Sequence, residues 1–477
     1  MRAQLIIEKS NAGQMGTSLP ELDVPVKKLS ELIPEKYLRS ENPRLPEVSE
    51  PELVRHYVGL SSKNHHVDKD FYPLGSCTMK YNPKINDWTA SILAEVHPYQ
   101  PQALSQGVLG IYHDLEQQLC AITGMTGFTL QPAAGSQGEL VGVLLMRKYH
   151  EVKGNDKDVI LIPDAAHGTN PASVAMAGYK VVEVKSNSKG LVDLEDFESK
   201  INDRVAGFML TNPNTLGLFE ENISKISALI HGVDGLMYMD GANMNALLGI
   251  VRPADLGFDI THLNLHKTFS TPHGGGGPGA GPIGVTEKLM NYLPRPRVEL
   301  KEGQFYLDYD HEQSIGRVHG FYGNFGVLIR AWTYIRMLGP EGLRSISEIA
   351  ISNANYMMHK LKDVFELAYD KTCMHEFVLS AQTQKEKGAN ALQIAKRLLD
   401  FGFHSPTMYF PLIVKEALMI EPTESENKET MDRFIEVMKL IAEEIETNPD
   451  ILHSAPHNTP VGRVDETYAN RNLNVRW

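Results

Sequence analysis

Short, wholly apolar runs that alternate with helix-like segments are the feature that most limits how this chain can fold. Between about residues 120 and 290 these runs are separated by breaks at Gly, Pro or Asn, and they include DVILIP (158–163), VAGFMLT (205–211), GLMYMD (235–240) and ITHLNL (260–265). A strand that is apolar on both faces must be covered on both sides, as in a parallel sheet flanked by crossover helices. The pattern therefore predicts an α/β fold around a buried, mostly parallel sheet.

The segments on either side of this region have a different character. Residues 1–70 are rich in Pro, Glu and Lys, which predicts an N-terminal arm with short helices. In the last third, apolar residues recur at helical spacing, and Asn448-Pro449 ends the predicted helix. These residues are Met431, Phe434, Ile435, Met438, Ile441 and Ile445. We therefore predict an arm (1–70), a large α/β domain (71–335) and a smaller C-terminal α+β domain (336–477).

Charge and composition exclude several classes of protein. The 46 basic and 59 acidic residues give a net charge of −13, which argues against a general nucleic-acid binder. No apolar stretch approaches the roughly 18 residues of a membrane span, and the first residues resemble neither a signal nor a transit peptide. The three cysteines, Cys77, Cys120 and Cys373, form no CxxC motif, which fits a reducing compartment. We expect a cytoplasmic protein that binds neither nucleic acid nor membrane.

A metal site is not predicted. His65, His66, Asp68 and Asp70 lie close together in sequence, but their spacing matches no standard set of metal ligands. A solvated loop explains them.

Lys267 lies where an apolar run meets a segment that contains seven glycines between residues 274 and 285. Most lysines are solvated surface residues. In an α/β sheet, however, ligands bind beyond the carboxyl ends of the strands, where an amine could form an imine with a carbonyl cofactor. The glycines also match G-x-G-x-x-G, but they lie several residues after the strand and lead into PIGVT, another candidate strand, instead of opening a helix. We therefore reject a dinucleotide site and favour pyridoxal phosphate on Lys267.

Polar residues also follow the neighbouring apolar runs. Asp240 could pair with a protonated pyridine nitrogen, since pyridoxal phosphate withdraws electrons only while that nitrogen keeps its proton. His167 could stack on the pyridine ring, and Thr211 and Asn212 could contact a ring substituent. Each of these residues is also common in an ordinary turn. Their order along the chain, one group per strand end, is harder to obtain by chance.

A candidate phosphate site lies upstream of these residues. Gly135, Ser136, Gln137 and Gly138 precede an apolar helical pattern in QPAAGSQGELVGVLLMRKYH. A helix N-terminus with small residues offers unpaired N–H groups and a favourable dipole to a phosphate. The alternative is a helix N-terminus without a ligand.

Taken together, these motifs resemble a known family. Their order is that of the fold-type I pyridoxal-phosphate enzymes, which share the aspartate-aminotransferase-like fold. More specifically, the chain from about residue 70 onward resembles the glycine cleavage system P-protein. The motifs that carry the resemblance are FYPLGSCTMKYNP, HPYQP, QPAAGSQGE, DAAHGTNPASV, LTNPNTLGLFE, DGANMNA, LNLHKTFSTPHGGGGPG, GFYGNFGVLIRAWTYIRMLG and MIEPTESE.

The resemblance implies a function and partners. It implies a large domain with a seven-stranded sheet, and decarboxylation of glycine with transfer of the aminomethyl group to the lipoyl arm of the H-protein. The match is to the C-terminal half of single-chain P-proteins, which implies the second subunit of the two-subunit form and a heterotetramer with two copies of subunit 1.

The resemblance also implies roles for residues. Lys267 would carry pyridoxal phosphate, with His167 and Asp240 as further catalytic residues. Ala242 and His266 would join the cofactor-binding set of Gly135, Ser136, Gln137, Thr211 and Asn212. On the substrate side the resemblance points to Ser76, Cys77, Thr78, His97 and Tyr99.

Two other functions remain open from the sequence. A different enzyme of the same fold would need other residues: a cysteine desulfurase requires a mobile nucleophilic cysteine, for which Cys373 is the candidate, and a dicarboxylate aminotransferase requires an arginine clamp, for which Arg463 and Arg471 are available. The remaining alternative is a non-catalytic scaffold subunit, against which Lys267, Asp240 and His167 argue.

Overall fold

The structure is a computed structural model that describes residues 4–97, 100–274 and 278–474. The chain divides into two compact units, Met1–His65 and His66–Trp477. Within the first unit lie the helices α1 (Leu29–Leu32) and α2 (Glu50–Ser61). Helix α2 begins after Ser49, whose backbone N–H and hydroxyl both donate to the Glu52 carboxylate. This capping box explains why the helix starts there.

A seven-stranded sheet forms the centre of the second unit, as far as the chain is described. Its strands, in chain order, are β1 (Gly127–Thr129), β2 (Val159–Pro163), β3 (Lys180–Val184), β4 (Val205–Thr211), β5 (Leu236–Gly241), β6 (Ile260–Leu263) and β7 (Ile283–Val285). Their order across the sheet is β1-β7-β6-β5-β4-β2-β3. Only β7 runs antiparallel to its neighbours within this sheet. The predicted mostly parallel sheet is confirmed.

Each of the four quoted apolar runs contributes a strand to this sheet, and both faces of these four strands are buried. On β5, Met237 and Met239 pack into one apolar cluster, whereas Leu236 and Tyr238 pack into another. This alternation is why the runs are apolar throughout. The last run was predicted to continue to Lys267, but the strand ends at Leu263.

The helices of the second unit surround the sheets. They are α3 (Lys84–Ile92), α4 (Gln106–Thr123), α5 (Gly135–Lys153), α6 (Thr169–Met176), α7 (Leu194–Lys200), α8 (Ile223–Gly232), α9 (Phe325–Leu361), α10 (Gln382–Glu386), α11 (Ala391–Asp400), α12 (Lys428–Thr447), α13 (Asp450–Ser454) and α14 (Glu466–Arg471). Helix α9 is kinked at Gly339, where φ is 63°, immediately before Pro340. No helix in the described part of the chain is long and apolar enough to cross a membrane.

Two smaller sheets follow the large one in sequence. Strands β8 (Arg297–Lys301) and β9 (Gln304–Asp308) form a hairpin. An antiparallel sheet in the order β10-β11-β13-β12 consists of β10 (Glu366–Leu367), β11 (Phe377–Ser380), β12 (Thr407–Met408) and β13 (Ala417–Ile420). The predicted helix is confirmed as α12, which buries all six apolar residues named above. The division into 1–70, 71–335 and 336–477 stays a prediction.

The C-terminal core predicts a large effect for one truncation. Phe434 on α12 is fully buried, with ring centroids 5.4 Å from Phe71 and 5.2 Å from Phe403. Phe434→Ala should lower the free energy of unfolding by about 3–5 kcal/mol, because it leaves a cavity among these rings. Denaturant unfolding followed by circular dichroism measures this. Leu440→Ala, at an exposed position of the same helix, is the control and should change stability by less than about 0.5 kcal/mol. Equal effects of the two changes would contradict this assignment of the core.

Candidate functional site

A cavity of about 220 Å³ opens at the carboxyl ends of β4, β5 and β6. Its lining includes nine of the residues predicted from the sequence: Ser76, Gly135, Ser136, His167, Thr211, Asp240, Ala242, His266 and Lys267. Ala134, Glu139, Thr169, Thr215, Asn243, His262 and Asn264 complete the wall. The structure therefore brings the strand-end residues together in one place.

Lys267 lies in a turn four residues beyond β6. The Lys267 N–H donates to the carbonyl oxygen of Asn264 at 3.0 Å, and its own carbonyl accepts from Ser270. Just before the turn, the Leu265 N–H pairs with the carbonyl of Ala280 instead of with a strand. The strand thus ends earlier than predicted because the chain turns back onto the segment that leads into β7.

The glycines around this turn allow close backbone packing. An added Cβ at Gly281 would lie 2.1 Å from the carbonyl oxygen of Ala134, and one at Gly135 would lie 2.2 Å from Oδ1 of Asn264. Glycine at these two positions lets the loop before β7 and the start of α5 approach the turn that carries Lys267. Residues 275–277 lie outside the described residues.

Two histidines flank Lys267 without adding positive charge. Burial, with a further contribution from Lys267 itself, lowers the pKa of His266 to about 3 and that of His273 to about 4. Their rings meet edge to face, with centroids 5.3 Å apart. Both rings are therefore neutral at physiological pH, and Lys267 is the basic group of this turn.

Asp240 is buried near the end of β5 and is surrounded by hydrogen-bond donors. Its Oδ1 accepts the Ala242 N–H at 2.9 Å and lies 3.3 Å from Nε2 of His262, while Oδ2 accepts the Asn170 amide at 3.1 Å. Burial alone would raise the pKa of Asp240, but His262, these two donors and Lys267 outweigh it and lower that pKa. The site thus holds an ionised carboxylate in an almost dry environment.

His262 is itself fixed by a neighbour on the sheet. Its Nδ1 lies 2.8 Å from the hydroxyl of Tyr238, which is fully buried. Tyr238, His262 and Asp240 therefore form a chain of contacts that fixes the orientation of the carboxylate.

Glu139 is a second buried carboxyl group, one turn into α5. It accepts hydrogen bonds from Thr169 Oγ1 (2.8 Å) and from the Asn170 amide (3.1 Å), and that same amide donates to Asp240. Burial and the nearby charge of Asp240 raise the pKa of Glu139. The two carboxyls therefore differ: Asp240 is kept ionised and Glu139 retains its proton to higher pH.

His167 lies at the exposed side of the cavity, after β2. Its Nδ1 accepts the Thr169 N–H at 3.3 Å, and the Thr169 hydroxyl donates to Glu139. The ring of Phe410 packs edge-on against it, with centroids 5.6 Å apart. These contacts fix the ring at the mouth of the cavity.

The start of α5 and two buried polar atoms could receive a ligand with phosphate and ring substituents. Gly135 and Ser136 open this 19-residue helix at the cavity wall, and the first N–H groups of a helix have no partner within the helix. Thr211 and Asn264 also line the cavity, and Oγ1 of Thr211 and Oδ1 of Asn264 are buried without a hydrogen-bond partner. Buried polar atoms are normally satisfied, so these two fit a ligand that is polar at its edge.

Some predicted residues are not part of this cavity wall. Gln137 accepts the Ala133 N–H and donates to the carbonyl of Val318, so its amide supports the loop. Asn212 is buried and accepts the Glu220 N–H. Cys77 and Thr78 follow Ser76 in the chain, but neither belongs to the described wall.

Two further residues are predicted for the substrate side, His97 and Tyr99. His97 lines a different, mainly apolar cavity together with Tyr112 and Phe325. Tyr99 is outside the described residues.

Sequence reasoning missed Glu139, Asn170 and His262. His262 had a usable signal, because it lies two residues after Ile260 in an apolar run, and in the sheet it pairs directly with Asp240. Asn170 follows His167 in the quoted AHGTNP motif. Glu139 gave no local signal, since acidic residues are common in the first turns of helices.

Two family models match the chain. The model described as glycine cleavage system P-protein matches residues 19–302, and the model described as glycine dehydrogenase, C-terminal domain, matches residues 346–459. The first match alone covers more than half of the chain.

Relatives of similar length have names that agree with these two family models. A protein of Chloroherpeton thalassium is 57% identical over 483 residues, which cover 100% of this chain and 98% of that protein. A protein of Caldanaerobacter subterraneus subsp. tengcongensis is 56% identical, with 99% and 98% covered. Both are named "Probable glycine dehydrogenase (decarboxylating) subunit 2".

Solved structures agree on the fold. An inhibitor-bound glycine decarboxylase (P-protein) of the glycine cleavage system aligns with a TM-score of 0.73 and 21% identity, over 87% of this chain and 94% of the other. Lactobacillus brevis glutamate decarboxylase aligns with a TM-score of 0.66 and 14% identity, over 86% and 96%. These likenesses confirm the predicted fold of the fold-type I pyridoxal-phosphate enzymes.

The buried carboxyl pair predicts how stability depends on pH. The pKa of Glu139 is raised above its ordinary value of 4.5. The stabilisation that Glu139 gives the folded state is therefore fully present below about pH 4.5 and is lost as the pH rises through the folded-state pKa. The difference in free energy of unfolding between Glu139→Gln and the unchanged protein should therefore move in favour of the variant as pH rises. The scale is about 1.4 kcal/mol per unit of pKa shift.

Denaturant unfolding at several pH values between 4 and 8 measures this difference. Glu151→Gln, at an exposed position of the same helix, is the control and should show little dependence on pH. A pH-independent difference for Glu139→Gln would contradict the raised pKa.

Proposed function

Because this chain belongs to the glycine cleavage system P-protein family, we propose that it acts as glycine dehydrogenase (decarboxylating). The reaction removes CO2 from glycine and transfers the aminomethyl group to one sulfur of a lipoyl disulfide, while the other sulfur becomes a thiol. The observation that carries the proposal is that Lys267 and the buried Asp240 share one cavity at the carboxyl ends of β5 and β6.

The cofactor is pyridoxal phosphate, as in the family, and the residues around the cavity fit it. Lys267 would hold it through its amine, and Gly135 and Ser136 would bind its phosphate at the start of α5. Thr211, with its unpartnered hydroxyl, would contact the ring edge. When bound, pyridoxal phosphate supplies an electron-accepting ring that stabilises the negative charge left when a carboxyl group departs.

The residues of this chain prepare the site for that chemistry. Asp240, kept ionised by its donors, would hold a proton on the ring nitrogen. Neutral His266 and the backbone at Ala242 would border the ring, and His167 would cover its face at the mouth. Ser76 would lie on the substrate side. With His262 and Asn170 already fixed around Asp240, little reorganisation is needed when glycine binds.

The partners follow from the same family. Relatives named "subunit 2" imply a subunit 1. We propose a heterotetramer with two copies of each subunit, and a lipoylated H-protein as the acceptor of the aminomethyl group. We place this assembly in the cytoplasm, without a role for nucleic acid or membrane.

The other enzymes considered from the sequence are less well supported. A solved cysteine desulfurase from Thermococcus onnurineus shares the fold, with a TM-score of 0.61 and 15% identity. In this chain, however, Cys373 is 2% exposed, and burial raises its pKa to about 12. Such a thiol is a poor nucleophile. Arg463 donates to the carbonyl of His453 in the exposed C-terminal segment, and neither Arg463 nor Arg471 belongs to the described wall of the Lys267 cavity.

The proposed reaction can be measured directly. The chain, purified subunit 1 and lipoylated H-protein should together release labelled CO2 from carboxyl-labelled glycine. Omitting any one protein should reduce the release to background. Cysteine and glutamate with the same proteins are the control substrates. Release that does not depend on the lipoyl group would contradict aminomethyl transfer.

Lys267 should be essential for that reaction but not for folding. Lys267→Ala should keep the circular dichroism spectrum of the unchanged protein. It should lose the visible absorbance of the bound cofactor, and its rate of CO2 release should fall by at least about 10³-fold, because the amine that holds the cofactor is gone. Lys301→Ala, at an exposed lysine on β8, is the control and should retain both. Unchanged absorbance and activity in Lys267→Ala would contradict the role of Lys267 and would favour the alternative of a non-catalytic scaffold subunit.

A further inference from the structure

Two buried acids outside the proposed reaction, Glu376 and Glu421, lie behind the cavity wall. Glu376 immediately precedes β11 and Glu421 immediately follows β13, where Phe377 pairs with Ile420. Both side chains are fully buried. One oxygen of each carboxyl and one ring nitrogen of His375 all lie within 4.8 Å of one another.

Both carboxyls bind the backbone of the segment Ser76–Thr78. The Ser76 N–H donates to Oε2 of Glu376 at 2.6 Å, and the Thr78 N–H donates to Oε2 of Glu421 at 2.9 Å. Ser76 and Thr78 have positive φ values of 65° and 47°, which are unfavourable for residues other than glycine. Surrounding contacts must hold such a conformation, and these two hydrogen bonds do so.

The pair is connected to the cavity at two points. Oε1 of Glu376 accepts the side-chain amide of Asn243 at 3.2 Å. Asn243 and Ser76 both line the cavity with Lys267. A change in the pair would therefore reach the substrate side through Ser76.

The groups around the pair favour a protonated carboxyl. Burial lowers the pKa of His375 to about 3, and neither of its ring nitrogens has a hydrogen-bond partner, so it is neutral. Burial raises the pKa of both acids, that of Glu421 to about 7 and that of Glu376, which also faces the charge of Glu421, well above its ordinary value, so the hydrogen bonds decide which acid carries the proton. Lys267 opposes this rise in both acids, and the buried Lys80 is a second lysine that interacts with Glu421. Cys77, Glu424 and the second acid of the pair are further titratable groups near them.

One atom is suited to carry that proton. Both oxygens of Glu376 accept N–H groups, whereas Oε1 of Glu421 is buried without a partner. Two buried carboxylates this close cannot both stay ionised.

We propose that the pair Glu376 and Glu421 holds one proton, carried by Oε1 of Glu421, and that the pair positions Ser76 at the wall of the cavity. Both acids are positioning residues that act through the backbone of the 76–78 segment. The expected effect on glycine binding rests on the proposed function, but the protonation state can be measured without any activity.

The protonation state is tested by infrared spectroscopy of the holoenzyme. In the difference spectrum between the unchanged protein and Glu421→Gln, a C=O band of a protonated carboxyl should be present at pH 6 and should disappear above about pH 7. A difference spectrum without this band would overturn the proposal, whatever the activity. A divalent metal bound one to one in the unchanged protein and lost in Glu421→Gln, as measured by elemental analysis, would also overturn it.

The positioning role is tested by the KM for glycine in the reconstituted reaction. In the unchanged enzyme KM should rise above about pH 7, because a second negative charge disrupts the 76–78 segment. Glu421→Gln keeps an oxygen that accepts the Thr78 N–H, and its NH2 group replaces the protonated Oε1. Its KM should therefore stay low and should no longer rise above pH 7. Glu421→Ala should raise KM roughly 10- to 100-fold at every pH, with a smaller change in kcat.

Glu116→Gln is the matched control for this experiment. Glu116 is also buried with a pKa raised to about 7, but it binds the N–H of Phe128 on another part of the structure. This variant should lose its own carboxyl band and keep the pH dependence of KM. If Glu421→Gln behaved like Glu421→Ala, or kept the rise in KM, this proton would have no role in positioning. If no variant released CO2 while the infrared band behaved as expected, the proposed function would fail and the proton assignment would stand.

Discussion

The parallel pairing of β4, β5 and β6 is the constraint on which the site depends. It places Thr211 opposite Asp240, and Asp240 opposite His262, so these three polar side chains lie side by side on one face of an otherwise apolar sheet. A carboxylate in this position costs several kcal/mol unless its oxygens are satisfied. The Ala242 N–H, the Asn170 amide and His262 satisfy them. Helix α6, which carries Asn170, and the turn after β5, which carries Ala242, must therefore keep their positions for Asp240 to stay charged.

A second feature of the molecule is that buried acids occur in pairs around the cavity. Asp240 and Glu139 share the amide of Asn170, and Glu376 and Glu421 share the segment Ser76–Thr78. In each pair the carboxyls have different hydrogen-bond environments, and at least one has a raised pKa. Such pairs reduce the stability of the fold at high pH. They also hold the polar side chains of the cavity in fixed orientations, which favours preorganisation of a reactive site.

The fold was largely predictable because a strand that is buried on both faces is apolar along its length, and such a run is easy to recognise in a sequence. The four apolar runs and the six apolar residues of α12 all occupy the predicted elements. Residues at strand ends were predictable for a related reason, because carboxyl ends of parallel strands meet at one edge. His167, Thr211, Asp240 and Lys267 come from four such segments and line one cavity.

Residues whose position depends on long-range packing were not predictable in this way. Glu376 and Glu421 are 300 and 343 residues from the partners that they bind in the 76–78 segment, and His97 lines a cavity apart from Lys267. Gln137 belongs to the right loop, but its amide faces Ala133 and Val318.

The sequence by itself determined the sheet, the helix at the C-terminus and the set of strand-end groups, because these depend on local periodicity and on the polarity of each strand. Only the tertiary structure decided which carboxyls are buried together, which donors satisfy them and which oxygen of Glu421 is left without a partner. Those properties depend on contacts between residues that lie far apart in the chain, and hydrophobic periodicity carries no record of them.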